Sequence, residues 1–361
     1  MIMENKEDFY IDIKHRAMAI YEQYRYIIKE VLESEFDISK YILNLYFRDD
    51  SNLGGKAWSD NYLDYIQINK GVIDNFFEYF YGFTKKNTED FLKALHVDED
   101  EEASYEYIKF DDNGNPNFFD SKVIDYKLAG LLTIFVSRFI ITHELGHLLN
   151  GHCEFINSKD NNSLNYISMF EEDNRKVIKN VSPLDFRTLE MDADAFAATD
   201  NIRNLLLIYD NFEEKVDKDL NIKPIELFYW WSFAIRSNFL ITQRILNDEE
   251  YKLDKKHLPS EARWVLILGS VTSFINENLN IINYRAGDNK ENLLKALVAG
   301  FKFAENCYSE RTYTKYNSLE ETIKSTDYKH YASATLENWE KLRDKLTKFS
   351  RLPLYKSDYI V

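Results

Sequence analysis

The chain has 361 residues, 45% of them apolar and 15% aromatic, which is enough for one large domain or two smaller ones. Its formal net charge of −16 and pI near 5.0 argue against nucleic-acid or anionic-membrane partners, both of which select basic surfaces. With only Cys153 and Cys307 there is no disulfide framework, and the polar start Met1 to Asp8 is no signal peptide, so a cytoplasmic protein is expected.

Glycine (11) and proline (5) are scarce, and helix-like apolar spacing opens at Ala17 to Leu32. After the loop Ser51 to Gly55, the alternation of Leu63 to Asn69 predicts a short strand, ended by the turn signal Asn69-Lys70-Gly71. The acidic run Asp98 to Glu102 lacks the spaced ligands and turn glycine of a calcium loop and reads as a solvated segment, and Asp111 to Pro116 reads as a loop. The most apolar stretch, Leu128 to Thr142, is short for a bilayer span and carries Arg138; it belongs to a helix from about Tyr126 to Asn150 closed by Gly151. Asn- and Asp-rich stretches at about 156–165 and 209–222 read as insertions.

Downstream, Ser182-Pro183-Leu184-Asp185 is a helix start, with serine as N-cap, proline at the first position and an acid at the third. Helical spacing returns in Ile225 to Leu246, where Phe228, Tyr229, Trp230 and Trp231 read as core, and in Ala262 to Leu279. It returns again in Leu336 to Leu346, with Leu336, Trp339, Leu342 and Leu346 on one face. The expected fold is mainly α with a small β-sheet (α+β), one domain over residues 1–361. Its core would span about 50–280, followed by a C-terminal helical region over about 288–361.

The chemistry lies in His143-Glu144-Leu145-Gly146-His147. On a helix the two histidines are about 40° apart in azimuth, so both imidazoles can share one metal ion. Glu144, rotated off the ligand axis, is placed to take a proton from water at the metal. One turn apart on a second helix, Glu190 and Asp194 offer a third ligand and an acceptor for a ligand histidine's N–H. A metzincin would need glycine at 150 and histidine at 153, where this chain has Asn150 and Cys153. His152 therefore reads as a helix-end histidine and Cys153 as incidental.

His143-Glu144-x-x-His147 followed by Glu190-x-x-Ala193-Asp194-x-x-Ala197 resembles the gluzincin metallopeptidases, in the branch of HtpX-like and CAAX-prenyl-protease-like enzymes. The resemblance covers the motifs and their order, about a third of the chain. Soluble phage-exclusion or IrrE-like bacterial peptidases share it. It implies a zincin-like core with one Zn²⁺ per chain, held by His143, His147 and Glu190 with Asp194 behind. His257 in a loop and Arg263 in the next helix's first turn look like the histidine and arginine that the branch uses to stabilise the oxyanion. The strand carrying Ile66 and Ile68 looks like the edge strand that holds an extended peptide by backbone hydrogen bonds. The expected function is a zinc endopeptidase with Glu144 as general base, acting on a protein or peptide substrate. The alternative is a zinc-fold sensor or regulatory binding protein with silent or conditional activity. In that case the segment between Cys153 and Asn180 would keep the site closed until an activating signal or regulatory partner arrives.

Overall fold

A helix that is apolar on every side has to be surrounded, and the central helix of this fold obeys that rule. In the computed structural model it is α3, Lys122–Leu149, whose Leu132, Val136, Phe139, Ile140, Leu145 and Leu148 are all buried. The structure describes residues 6–31, 37–60, 62–86, 122–159, 167–168, 181–212, 216, 222–246, 260–278, 290–312 and 319–355. The acidic run 98–102, the loop 111–116, His257, most of the segment between Cys153 and Asn180, and parts of the 156–165 and 209–222 stretches lie outside them. The helix carries the apolar stretch on past Thr142, and by length and composition alone its Lys127–Leu149 part could cross a membrane. Its most apolar window is 83% buried inside the fold, as a core helix's is.

Around α3 pack α1 (Lys6–Tyr26), α2 (Lys70–Lys86), α5 (Pro183–Asp210) and α6 (Glu226–Leu246), together with the sheet. α4 (His152–Asn157) follows α3 after Gly151. α7 (Ser260–Glu277), α8 (Lys290–Thr312), α9 (Leu319–Lys324) and α10 (Thr326–Leu346) complete an architecture that is mainly α with one small mixed sheet, as expected. The aromatic run Phe228 to Trp231 is buried in α6, and Trp339, Leu342 and Leu346 form the buried face of α10.

The sheet orders its strands β1-β3-β2-β4: β1 is Ile42–Arg48, β2 Gly55–Asp60, β3 Leu63–Asn69 and β4 Ile167–Ser168. β3 has the predicted bounds but not the predicted setting. It pairs in parallel with β1 on one side and antiparallel with β2 on the other, so it has no free edge. Ile66 (0% exposed) and Ile68 (2%) are core residues, which corrects their assignment to substrate. The expected turn after β3 is absent too. α2 starts directly at Lys70, and Gly71 tucks against the preceding loop with its N–H donated to the Asp50 carbonyl at 2.8 Å.

The C-terminal part closes back on the end of α3. Gly151 takes a left-handed φ of 77°, ending α3 as its sequence position predicts, and the Phe349 backbone passes so close that a Cβ at Gly151 would meet it at 2.5 Å. Two residues on, the Arg351 N–H donates to the Leu149 carbonyl at 2.8 Å. The buried Arg351 guanidinium pairs with both oxygens of buried Asp64 on β3, reaches Glu154 at 2.5 Å, and lies 4.0 Å from the centre of the Tyr41 ring. Asp64 also accepts from Tyr21 at 2.6 Å and Ser59 at 3.0 Å. Removing one partner strands a buried charge. Arg351→Met is therefore expected to lower unfolding stability by about 3–5 kcal/mol in urea melts. A loss under about 1 kcal/mol would show that this cluster does not hold the C-terminal part in place.

Candidate metal centre

Two helices build the centre. α5 begins where its sequence says it should: Ser182 Oγ accepts from Asp185 N at 3.0 Å, and the Asp185 carboxylate accepts from Ser182 N at 3.2 Å, a complete capping box. Its phase is thereby set, and Glu190, Ala193 and Asp194 meet α3. The closest approach is at Gly146, where a Cβ would lie 3.3 Å from Ala193 Cα and 3.1 Å from the Phe196 ring. Only small residues permit that crossing.

The crossing brings three donors together. His143 Nε2 and His147 Nε2 are 3.0 Å apart, and the Glu190 oxygens lie 3.4 Å from each. Ligands of a tetrahedral ion with bonds of about 2.0–2.1 Å are separated by about 3.3 Å, so the spacing fits three corners of such a polyhedron. All three residues are buried, at 0%, 0% and 2% exposure. The group His143, His147 and Glu190 can hold a metal ion.

Each donor has support. His143 Nδ1 donates to Asp194 Oδ1 at 2.9 Å, the contact expected of Asp194. Arg263 grips the same carboxylate with two bonds of 2.7 Å and lies 3.6 Å from Glu190 Oε2, its guanidinium stacked 5.0 Å from the Phe239 ring centre. The structure thus brings Arg263 to the centre, near the start of α7 at Ser260 as predicted, but engaged with the ligand-orienting carboxylate. Glu144 is fully buried, and its Oε1 would lie 3.1 Å from a Cβ at Gly55, so the first residue of β2 runs against the carboxylate.

His152, expected only to end a helix, reaches the centre instead, together with Asp192 and Asn150. His152 Nδ1 lies 2.9 Å from His147 Nδ1, and its Nε2 lies 3.1 Å from Asp192 Oδ2. Asn150 Nδ2 donates to that same oxygen at 2.6 Å. The only hint of this in the sequence is that Asp192 lies between Glu190 and Asp194, on a different side of the helix. Cys153 is buried and free, its thiol pushed well up by burial, in keeping with an incidental core residue.

The electrostatics of the ion-free chain follow from burial and partners. Burial pushes His143 down, but its bonds to Asp194 and Glu190 outweigh that and hold it at about 9. Burial dominates for His147, which falls to about 3. Glu190 is raised by burial and then carried well below its usual range by the two histidines, while Asp194 is raised by burial and lowered further by Arg263 and His143. At neutral pH His143 therefore carries an extra proton and His147 does not, and a metal ion bound to both would displace it. Because His143 keeps this proton until the pH passes about 9, metal uptake near pH 7.5 is expected to release about one proton per ion. Metal affinity should rise with pH up to about 9. Titration calorimetry in two buffers of different ionisation enthalpy measures the release, and none at all would refute this charge assignment. Compared with protein-family models, with curated proteins and with solved structures, the chain finds no match.

Proposed function

We propose that this chain is a zinc-dependent endopeptidase of gluzincin type, with a zincin-like core built on α3 and α5. One observation carries the reading: two imidazole nitrogens and a carboxylate stand at 3.0–3.4 Å from one another on crossed helices, with the Glu144 carboxyl on the residue after the first ligand. Three protein donors leave a fourth position for water or substrate, the arrangement of catalytic rather than structural zinc. His143, His147 and Glu190 would hold Zn²⁺, which would supply Lewis acidity toward a water and the scissile carbonyl.

The remaining chemistry belongs to side chains. Glu144 takes one proton from the attacking water, whose oxygen adds to the acyl carbon. It then gives that proton to the amide nitrogen, so the C–N bond breaks with a neutral amine leaving. Asp194 keeps the His143 proton on Nδ1 and its Nε2 lone pair aimed inward, and Arg263 fixes Asp194. In this reading Arg263 positions the ligand set instead of holding the oxyanion. An extended peptide would take the place of β4 along the outer edge of β2, the strand that reaches Glu144, by backbone pairing. Cys153 and Cys307 are both buried, which is compatible with the reducing setting of a cytoplasmic enzyme.

A second reading, conditional activity, draws on a specific observation. β4 pairs antiparallel with Lys56 and Ala57 of that same β2 edge, with Ile167 buried. The chain's own strand thus lies where a substrate strand would pair, and His143, Glu144 and His147 are all at 0% exposure.

Glu144→Gln is expected to keep one zinc per chain and to lower peptide cleavage by at least about 10²–10⁴-fold. Glu190→Ala is expected to lose the metal. Metal analysis checks the stoichiometry, and N-terminal profiling of cells expressing wild type or Glu144→Gln checks cleavage. A purified chain that takes up no zinc would sink the proposal. Zinc with identical peptide profiles under every growth condition would leave only the binding role.

A further inference from the structure

We propose that His152 and Asp192 form a second positioning arm that holds the ligand ring of His147. The inference rests on the reading that His147 ligates a metal through Nε2. That atom faces His143 and Glu190, and the opposite ring nitrogen, Nδ1, faces His152 Nδ1 at 2.9 Å. His152 is therefore on the side of the ring away from the ion and acts on the ligand rather than as a ligand.

The proton pattern follows from the atoms. With the Nε2 lone pair of His147 directed at the ion, its proton is on Nδ1 and donates to Nδ1 of His152. His152 then carries its own proton on Nε2, at an ion-pair distance of 3.1 Å from Asp192 Oδ2 but not aligned with it as a hydrogen bond. The 2.6 Å bond from Asn150 fixes that oxygen. His152 is 0% exposed and Asp192 6%, so water offers little substitute for either contact. A histidine that merely ended a helix would have no need of a buried carboxylate behind it.

The geometry mirrors the His143 arm with one extra link. Asp194 touches its histidine directly and is closed off by Arg263, whereas Asp192 works through His152 and is closed off by Asn150. Both acids come from α5, two residues apart on different sides of the helix, so one helix steers both imidazoles.

The test is Zn²⁺ affinity of the full chain, read by competition with a chromophoric chelator, alongside thermal melting of the ion-free protein. His152→Phe keeps the ring's bulk and removes the acceptor, and is expected to weaken zinc binding by roughly 10–100-fold. His152→Asn puts a carbonyl oxygen where Nδ1 was and should restore most of that affinity, and Asp192→Asn should fall between the two. A purely structural role would lower the melting temperature of the ion-free protein while leaving affinity untouched. Unchanged affinity in a folded His152→Phe chain, or equal losses in the Phe and Asn variants, overturns the proposal. Should His152→Phe not fold, wild-type affinity in Asp192→Asn overturns it. A wild-type chain that takes up no zinc refutes the metal site itself, a separate outcome.

Discussion

The distance between α3 and α5 at their crossing is the constraint on which the centre depends. Gly146 lets the backbone of Ala193 approach to 3.3 Å from where a side chain would begin, closer than ordinary contact. At that separation Glu190 reaches two histidines one turn apart on the other helix. An added methyl group at residue 146 would push against Phe196 and the Ala193 backbone, neither of them the free end of a flexible chain. Ligand atoms spaced at 3.0–3.4 Å have little tolerance for such a shift, because metal bonds are short and their angles fixed. The capping box at Ser182 and the glycine at 151 serve the same end, since each sets the phase of one of the two helices.

The same crossing concentrates negative charge in a dry place. Glu144, Glu190, Asp192 and Asp194 are all at least nine-tenths buried, and among the described residues Arg263 is the arginine that touches this set. A buried carboxylate needs a counter-charge or a proton. In the ion-free chain part of that compensation comes from the proton of His143, shared toward His147. A metal ion bound to both imidazoles would displace that proton, so its binding would be coupled to the acid–base state of the centre.

How legible all this was in the sequence depends on whether a contact stays within one helix. His143 with His147, and Glu190 with Asp194, are pairs at helical spacing, so their shared faces follow from periodicity, and a short list of acids then suffices to find the third donor. His152 lies just beyond Gly151, where the chain reverses through a left-handed residue, and no period carries across that turn. Asp192 is off the Glu190 face by helical phase, and its use emerges only when α5 is seen to straddle the end of α3. Strand β3 was readable from its alternation, but its inner place was not, because β1 pairs with it in parallel from outside the hairpin it forms with β2. The turn expected at Asn69-Lys70-Gly71 failed for a related reason: the glycine serves close packing against the Asp50 to Asn52 loop rather than chain reversal.

The link between Arg351 and Asp64 spans 287 residues of chain. Joining groups so far apart in sequence carries a large loop-closure entropy and comes late in folding. Until it forms, β3 carries an unmatched buried acid, and the segment following the His143–His147 turn lacks its backbone partner at Leu149. On a ribosome the helices that carry the histidines and Glu190 emerge well before residue 351 does. A nascent chain therefore holds the donors before it holds the brace that closes on the end of α3. In the peptidase proposed above, that order of events would delay competence until synthesis has passed the point where the chain's own unfolded segments are the nearest targets.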